Sequence, residues 1–559
     1  MRAETSLQAL KAVELIHEKT LFPELSYIFK HALTQDVAYG SLLRPQRKEL
    51  HAQVGAAIEE SYAERIAEHY GVLAWHFERA GRTDKAVEYL GKAAARAGED
   101  FAVAEALELY RRALDLIEKV NDNRYAEQRV RFLRARATLQ FSVGNYAGAR
   151  ADWERLLARC REAGDRYNEA GALSGAAWAT QWDEDFDAAL AYAKEAVRIA
   201  DESGNPSALA GGLVVSGYIP GLTGRLDEAR PILERAMQVS REAGDVVQEV
   251  IARFCFGNLS GWQGEYDTAA DVTSEGLRIA RDRKLLPSLI RILWSNGLSL
   301  IGKGDCDRAQ ALLSEGFDLA DKVGDEAMAP RLLNTLGWLY LECGDLERSI
   351  DHNTRAVERA RGRRHAVSVE MGTYATVNWG DGLLRKGELA AAGEVYDAAY
   401  AVASNPRTHP WMKWRYSTHL FASLAEYWLA RGNPEKAAGF VERNMEIAIA
   451  TTSRKYIAIG HRINAEIALM RLDLNEAEAQ ARRALALAAR IRNPTQWWKT
   501  YALLGDILER MGRPDDAHDA RTRASRIIRG IASSLADPKL RHSFEQSQLA
   551  RRFLRMGPT

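Results

Sequence analysis

The stretch GRLDEARPILERAMQVSREAGD, residues 224–245, contains a unit that recurs along most of the chain. Gly224 opens a turn, and Ala229 and Ala236 then lie two helical turns apart on one face of the following helix. Gly244 ends that helix, because glycine adopts left-handed backbone geometry without strain. Steps of about forty residues from Ala229 meet the small residues Ala149, Ala189, Ala269, Ala309, Ser349, Ala392, Ala437, Ala477 and Ala517. An internal repeat of this length predicts an array of helix pairs.

A second set of small residues accompanies the first, twelve positions earlier in each repeat. Two helices of a pair can cross closely only where no bulky side chain stands between them. We therefore predict that the two sets mark the crossing point of a first helix, A, with a second helix, B. The members of the earlier set are Ala137, Ala177, Gly217, Gly257, Gly297, Gly337, Gly380, Ala425, Ala465 and Gly505.

A turn glycine stands five positions before the small residue of helix B in most repeats, for example at Gly304. In two repeats Glu184 and Leu472 take its place, each followed by an aspartate that can support a turn. This pattern resembles tetratricopeptide repeats, although the usual unit of that family has about 34 residues. A forty-residue unit implies longer helices. We predict an all-α fold, a tetratricopeptide-type right-handed superhelix or α-solenoid in which each helix pair is stabilised by its neighbours.

The first part of the chain lacks the regular repeat. Residues 7–17 have helical periodicity, and residues 22–25 predict a turn before a short extended or helical run. Residues 31–60 predict two helices separated by a break at Pro45. In residues 80–120 the small residues recur after only twenty positions, which predicts an irregular join with one helix shortened or shared.

Three strings in this region resemble a junction in bacterial multidomain signalling ATPases: FKHALTQDVAYGSLL from residue 29, RKELHAQVGAAIE from residue 47, and AEHYGVLAWHFERAGRTDKAVEYLGKAA from residue 67. In that family, often fused to class III adenylate or guanylate cyclase domains, the end of a winged-helix module leads into tetratricopeptide repeats. The resemblance covers roughly residues 20–120. The resemblance implies that residues 1–60 are a helical remnant of the ATPase-associated module. The repeat pattern predicts irregular first helix pairs (61–123), about ten regular repeats (124–530), and capping helices with a basic tail (531–559).

Composition narrows the classes of partner and the compartment. Lys plus Arg and Asp plus Glu number 76 each, so no overall field draws the chain to nucleic acid or to an anionic membrane. No run of apolar residues approaches the length of a membrane span, and the N-terminus lacks the apolar core of a signal peptide. The four widely spaced cysteines are typical of reduced, buried residues. We expect a soluble, cytoplasmic protein.

Residues 297–304, GLSLIGKG, are the nearest match to a catalytic motif, since they satisfy GxxxxGK. Gly304 stands where a serine or threonine should bind magnesium, and both terminal glycines are explained by the repeat. His69 and His76 share a helical face but have no converging partners for a metal. The sequence therefore predicts no catalytic residue, no cofactor site and no metal site.

Equivalent positions on successive A helices form columns of side chains along the array. Two of these columns are predicted to face the concave surface of the superhelix, on which repeat arrays generally bind their partners. Aromatic and amide side chains dominate the middle of these columns, and acidic side chains dominate the C-terminal part. The alternative is internal packing: aromatic rings between repeats, and acids paired with basic residues, as Arg462 and Glu466 could be. The candidate partner-binding residues are Trp178, Tyr218, Phe254, Asn258, Trp294, Asn334, Trp338, Asp381, Glu426, Glu466 and Asp506.

The predicted function is non-enzymatic. We expect a scaffold or sensor arm for signal transduction that binds a protein, a peptide or a small effector, without specific nucleic-acid or membrane binding. By resemblance, it would control an ATPase or nucleotide-cyclase module. One alternative is the C-terminal fragment of a cyclase or signalling ATPase whose catalytic domains lie upstream of this chain. Another is the effector-sensing arm of a transcriptional regulator.

Overall fold

The computed structural model describes residues 2–20, 26–120, 122–363, 365–408 and 413–554. The chain divides into two compact units, residues 1–136 and 137–559. Apart from one pair of short strands, every regular element of the described residues is helical. None of the described helices is both long and apolar enough to cross a bilayer.

Unit 1 begins with a helix and an antiparallel strand pair, and continues as helices. The helix predicted over residues 7–17 ends at Ala12, because Glu14 adopts a left-handed φ of 53° and the chain then turns into a strand. Residues 22–25 lie outside the described residues. The elements are α1 Arg2–Ala12, β1 Ile16–Thr20, β2 Ser26–Phe29, α2 Ala32–Ser41, α3 Arg44–Ser61, a 3₁₀ segment Ala63–His69, α4 Tyr70–Ala80, α5 Thr83–Glu99, α6 Val103–Val120, a 3₁₀ turn Asn123–Tyr125 and the first part of α7 Ala126–Ser142.

The irregular join of unit 1 differs from the one predicted. Pro45 stands in the first turn of α3, so the predicted break between α2 and α3 is confirmed. Residues 80–120 contain two long helices, α5 and α6, with 17 and 18 residues. The short helix is α4, with 11 residues, which follows directly on a 3₁₀ segment. The prediction of a shortened helix in residues 80–120 was therefore wrong, whereas α5 does pack against both α4 and α6, as a shared helix would.

Unit 2 is a tetratricopeptide-type α-solenoid. Unit 2 begins with the last part of α7 and with α8. Its described residues then form nine antiparallel helix pairs and two short C-terminal helices. These are α8 Tyr146–Ala163, α9 Arg166–Trp182, α10 Phe186–Ser203, α11 Pro206–Leu222, α12 Leu226–Glu242, α13 Val246–Gln263, α14 Tyr266–Asp282, α15 Leu286–Lys303, α16 Cys306–Val323, α17 Met328–Glu342, α18 Leu346–Ala360, α19 Ala366–Lys386, α20 Leu389–Ser404, α21 Lys413–Ala430, α22 Pro434–Ala450, α23 Arg454–Met470, α24 Leu474–Ile491, α25 Pro494–Arg510, α26 Pro514–Ser534, α27 Pro538–Gln546 and α28 Gln548–Leu554.

The small residues of helix A lie at helix crossings, as predicted. A Cβ added to Gly257 would stand 2.3 Å from Cγ2 of Thr273 on the paired helix B. At Gly297 the nearest atom, 2.6 Å away, belongs to Leu313, again sixteen residues further along. Such distances are far inside van der Waals contact, so only glycine allows these helices to approach so closely.

The turns between helices A and B have the predicted left-handed geometry. Gly304 has a φ of +83°, and Glu184 and Leu472 adopt φ values of 71° and 63° in its place. The aspartate after each of those two residues caps helix B, because its carboxylate accepts a hydrogen bond from a backbone N–H three residues on. The sequence pattern of the turns is therefore confirmed.

Successive superhelical turns of unit 2 are joined directly. The carbonyl oxygens of Trp182, Leu222, Trp262 and Gly302, forty residues apart at the ends of four A helices, each meet a donor side chain from a repeat much further along the chain. The partners are separated by 183 to 192 residues, a little under five repeats. We call these contacts the cross-turn hydrogen bonds. The donors are His365 Nε2 at 2.5 Å, Trp414 Nε1 at 2.8 Å, Ser453 Oγ at 3.2 Å and Asn493 Nδ2 at 3.0 Å.

The C-terminal helices cover part of the array. Leu540, Phe544 and Phe553 of α27 and α28 are buried. The hydroxyl of Ser525 on α26 donates to the carbonyl of Phe553 at 3.1 Å, which fixes α28 on the last helix pair.

Candidate functional site

Unit 2 contains a cavity of about 120 Å³ that is partly open to solvent and that we call the interior cavity. Its walls come mainly from the A helices α13, α15, α17, α19, α21 and α23, with Tyr266 of α14. These helices belong to two superhelical turns that face each other. Trp414, which donates the cross-turn hydrogen bond to Leu222, belongs to this wall, as do both partners of the bond from Ser453 to Trp262. The wall is rich in aromatic and cationic side chains, among them Trp262, Trp294, Trp338, Tyr374, Trp414, Tyr456, Arg331, Arg415, His419 and Lys455.

A buried ion network forms one side of the cavity. Glu370 is fully buried, and its two carboxylate oxygens lie 3.1 Å from Nη2 of Arg331 and 2.7 Å from Nη1 of Arg415. The two guanidinium groups also lie over indole rings, Arg331 at 4.7 Å from the centroid of Trp294 and Arg415 at 4.5 Å from that of Trp262. Burial lowers the pKa of Arg331, and the charge of Glu370 opposes that change. The network fixes both cations at the cavity wall.

Lys455 is a cation of the wall without an acidic partner. Its ammonium group lies 4.3 Å from the ring centroid of Trp338. Among the described residues, Nζ of Lys455 makes neither a hydrogen bond nor an ion pair. Burial lowers the pKa of Lys455, while the charges of Glu342 and Asp381 act to raise it. The side chain keeps part of its surface accessible, because it borders the cavity.

The predicted aromatic residues form a continuous ladder inside the solenoid. Ring centroids are 6.3 Å apart for Trp178 and Tyr218, 5.9 Å for Tyr218 and Phe254, and 6.3 Å for Phe254 and Trp294. Asn258 joins this ladder by donating to the hydroxyl of Tyr218 at 3.2 Å. Tyr218, Phe254, Asn258 and Trp294 are buried, whereas Trp178 is partly exposed. Packing between repeats therefore accounts for much of this column.

Three of the predicted residues line the cavity itself: Trp294, Asn334 and Trp338. Asn334 donates to Oδ1 of Asn353 at 3.0 Å, and the indole N–H of Trp294 donates to Thr335 at 2.9 Å. Trp338 is partly exposed, and its ring contacts Lys455. The structure thus brings this part of the predicted set together at one place.

The predicted acidic residues are held in ion pairs and hydrogen bonds. Asp381 accepts from Tyr396 at 2.7 Å and lies 3.1 Å from Nε2 of His419. Arg462 bridges Glu426 and Glu466, with the predicted pair to Glu466 confirmed at 2.7 Å. Asp506 pairs with Arg521 at 3.1 Å and with Arg552 of the basic tail.

Several residues of the wall were missed by the sequence analysis, notably Trp262, Arg331, Arg415 and Lys455. They lie outside the two columns that were examined. Arg331 carried a signal, because an arginine within the apolar run of α17 is costly to bury unless it has a partner or a role. Its partner Glu370 lies 39 residues away on helix A of the next repeat, about one helical turn before the equivalent position.

The sequence strings that resemble a phosphate loop and a histidine pair have defined places in the fold. Residues 297–303 lie within α15, and Gly304 follows at its C-cap, so the motif there is a helix and its terminating turn. His76 lies 3.0 Å from His51, and in the part of the chain that the structure describes no cluster of His, Cys, Asp and Glu is suited to a metal ion. The four cysteines are buried and form no disulfide.

No protein-family model matches the chain. An uncharacterised protein of Rhizobium meliloti (strain 1021) is 32% identical over 102 residues, which are 18% of this chain and 10% of that protein. The match thus spans about a tenth of the relative's length.

Similar solved structures are helical-repeat proteins. A Rap protein in complex with competence and sporulation factor is 15% identical, with a TM-score of 0.48 over 67% of this chain and 100% of that one. The Cut9–Hcn1 tetramer of the APC/C is 15% identical, with a TM-score of 0.43 over 90% and 98%. A signal-transduction ATPase with a tetratricopeptide-repeat sensor from Pyrococcus horikoshii is 14% identical, with a TM-score of 0.42 over 71% and 57%. Identities of this size bear on the fold alone.

Proposed function

We propose that this chain is a non-enzymatic sensor arm, which binds a protein, peptide or small effector and thereby regulates an ATPase or nucleotide-cyclase signalling module. The observation that carries the proposal is the interior cavity, where an unpaired cation and several aromatic side chains from two superhelical turns converge. Ligand sites in proteins are typically concave and mostly apolar, with a few polar groups that orient the ligand.

The position of the cavity gives a physical route from binding to regulation. A ligand held by α17 and α23 touches two turns that are otherwise joined by the cross-turn hydrogen bonds. A ligand that binds one arrangement of the turns better than another shifts the population toward it by its difference in binding free energy. The outer surface of the solenoid would then present a different shape to a regulated module.

The regulated module is proposed from the resemblance of residues 29–94 to the junction of signalling ATPases. The module would lie on the same polypeptide, upstream of this sequence, or on a separate chain. The first alternative is that this chain is the C-terminal part of such an ATPase or cyclase. An arm of a transcriptional regulator is the second.

The test compares partner capture by the wild type, Trp338→Ala and Trp428→Ala. Trp428 is a matched control, because it is also partly exposed and also stacks on a lysine, Lys436 at 3.9 Å, but does not line the cavity. We expect mass spectrometry to find partners bound by the wild type and Trp428→Ala and lost from Trp338→Ala. Equal capture by all three proteins would contradict binding at the cavity. Turnover of ATP or GTP by the purified chain would contradict a non-enzymatic role.

A further inference from the structure

We infer that the interior cavity binds a small organic anion, a carboxylate or phosphate ester attached to a flat apolar group. The inference rests on the proposed function and deepens it by naming the chemistry of the effector. Three properties of the cavity wall carry it: its charge, its unpaired polar atoms, and its size and aromatic content.

The charge of the wall is positive. Arg331, Arg415 and Lys455 line the cavity, whereas no carboxylate does so among the described residues. Glu370 stands behind the two arginines and balances one of them. A buried excess of positive charge is unfavourable unless an anion compensates it.

The carboxylates whose charge reaches Lys455 are already engaged. Glu342 lies 3.6 Å from Arg385 and 3.7 Å from Lys499. Asp381 is held by Tyr396 and His419. Lys455 therefore faces the cavity as an ammonium group with its hydrogen-bond donors unused, which is the arrangement expected before an anion binds.

Other polar atoms of the wall lack partners as well. The Nε of Arg331, the indole Nε1 of Trp262, the Nδ1 of His419 and the Oδ1 of Asn378 are buried and have no hydrogen bond within the described structure. Arg331 is 2% exposed and Asn378 is 3% exposed, so bulk water does not reach them freely. Buried polar groups are nearly always paired. Nε of Arg331 and Nε1 of Trp262 are donors that the acceptor oxygens of a ligand would pair, whereas Oδ1 of Asn378 accepts and would pair with a donor.

The remaining wall suits a flat apolar group. The indoles of Trp262, Trp294 and Trp338 border the cavity, whose volume of about 120 Å³ is close to that of a cavity able to hold one benzene ring. Aromatic faces stack on planar groups. An aromatic or similarly flat anion therefore matches the wall in charge, hydrogen bonding and shape.

The experiment uses three probes that share one benzene ring: benzoate, phenyl phosphate and neutral benzamide, which matches benzoate in size. We expect benzoate or phenyl phosphate to raise the Tm of the full chain and to bind in calorimetry, and benzamide to do neither. Preferential binding of one anion distinguishes a carboxylate effector from a phosphate ester. Stabilisation by benzamide equal to that by the anions, or binding by none of the three at millimolar concentration, would overturn the inference.

Two lysine variants locate the binding. Lys455→Met should keep or raise the Tm without ligand, because it removes a desolvated charge, and should weaken anion binding by about tenfold or more. Lys436→Met, at the matched tryptophan pair outside the cavity, should bind anions like the wild type. Unchanged affinity in Lys455→Met overturns the inference; if that variant does not fold, Asn378→Leu replaces it under the same criterion. Partner capture that still depends on Trp338 while no anion binds would refute this inference and leave the proposed function standing.

Discussion

A missing side chain decides how closely α13 and α14 pack. Gly257 faces Thr273, a β-branched residue that is fully buried and whose hydroxyl is held by the carbonyl of Ala269 at 2.6 Å. Thr273 can neither rotate freely nor move outward, because β-branching and the hydrogen bond fix its χ1. Gly439, in contrast, lies in the middle of α22 with nothing within 4 Å of an added Cβ. The two glycines have opposite roles in helices of similar length.

Gly257→Ala should therefore lower the free energy of unfolding by about 1–3 kcal/mol, since the added methyl group overpacks the crossing. Gly439→Ala should raise it by about 0.5–1 kcal/mol, because alanine loses less backbone entropy than glycine in a helix. Urea unfolding followed by circular dichroism measures both. Stabilisation by both substitutions would show that the close crossing of α13 and α14 is absent in solution.

Residue-scale features differ in how far the sequence reveals them. The in-register glycines and alanines were predicted, because a small residue at fixed spacing has one physical explanation, a helix crossing. The role of Lys455 was not predicted. Its neighbours in sequence, Arg454 and Tyr456, give no sign that its side chain faces an interior space. Trp338 was predicted to face an open concave surface, whereas it lines the cavity between two superhelical turns.

At the scale of helices, the start of α25 has two functions. Oδ1 of Asn493 caps the helix by accepting from the backbone N–H of Gln496 at 2.9 Å. Its Nδ2 donates the cross-turn hydrogen bond to Gly302 at 3.0 Å. Asn433 caps α22 in the same way, through Lys436 at 2.9 Å, and has no cross-turn bond in the described structure. The two caps form a matched pair.

Asn493→Asp should lower the free energy of unfolding by about 1–3 kcal/mol, because it keeps the cap but replaces a buried donor by a carboxylate facing a carbonyl oxygen. Asn433→Asp should change it by less than about 0.5 kcal/mol, since aspartate caps helices as well as asparagine does. Chemical denaturation gives the stabilities. Faster amide hydrogen exchange near residue 304 in Asn493→Asp alone would locate the loss at the distant partner. Equal effects of the two substitutions would argue against a cross-turn bond.

Helix boundaries were largely predictable, and the contacts between superhelical turns were not. Periodic small residues, turn glycines and capping aspartates are local signals, and each specifies the start or end of a helix. The cross-turn hydrogen bonds depend instead on how many repeats complete a turn, a quantity that accumulates small rotations over about 190 residues. The strand Ile16–Thr20 was missed for a different reason, because its charged sequence IHEKT does not alternate clearly.

On the scale of the whole solenoid, charges from four repeats meet in the interior. Glu342 of α17 lies 3.6 Å from Arg385 of α19 and 3.7 Å from Lys499 of α25. Burial acts to raise the pKa of Glu342, but the charges of Lys499, Arg385 and Lys455 outweigh it and lower that pKa to about 2. Helices far apart in sequence are thus coupled through one carboxylate.

The lowered pKa predicts a specific loss of stability in acid. In the unfolded chain Glu342 binds a proton near its ordinary pKa of 4.5, whereas in the folded chain it does so only near pH 2. The stabilisation of the fold by ionised Glu342 is therefore complete above pH 4.5 and declines as the pH falls toward 2. The difference in unfolding free energy between wild type and Glu342→Gln should narrow by about 1 kcal/mol from pH 7.5 to pH 4. Glu347→Gln, at an 83% exposed site, should differ little from wild type at either pH. A constant difference for Glu342→Gln across this range would contradict the ionised, paired state of Glu342.

Solenoids in which each repeat touches only its neighbours unfold from their ends. In unit 2 early and late repeats are also hydrogen-bonded to each other. Fraying at the start of α25 therefore breaks the bond from Asn493 to the carbonyl of Gly302 on α15.

The same pairing limits how this chain could change in length. The four paired segments, 182–365, 222–414, 262–453 and 302–493, overlap and together span residues 182–493 without a gap. Duplication or loss of one forty-residue unit anywhere in that span would displace at least one donor from its carbonyl by the width of a whole helix pair. Variants with an added or removed unit would therefore lose cross-turn hydrogen bonds or have to separate the superhelical turns, although each helix pair could still pack against its neighbours.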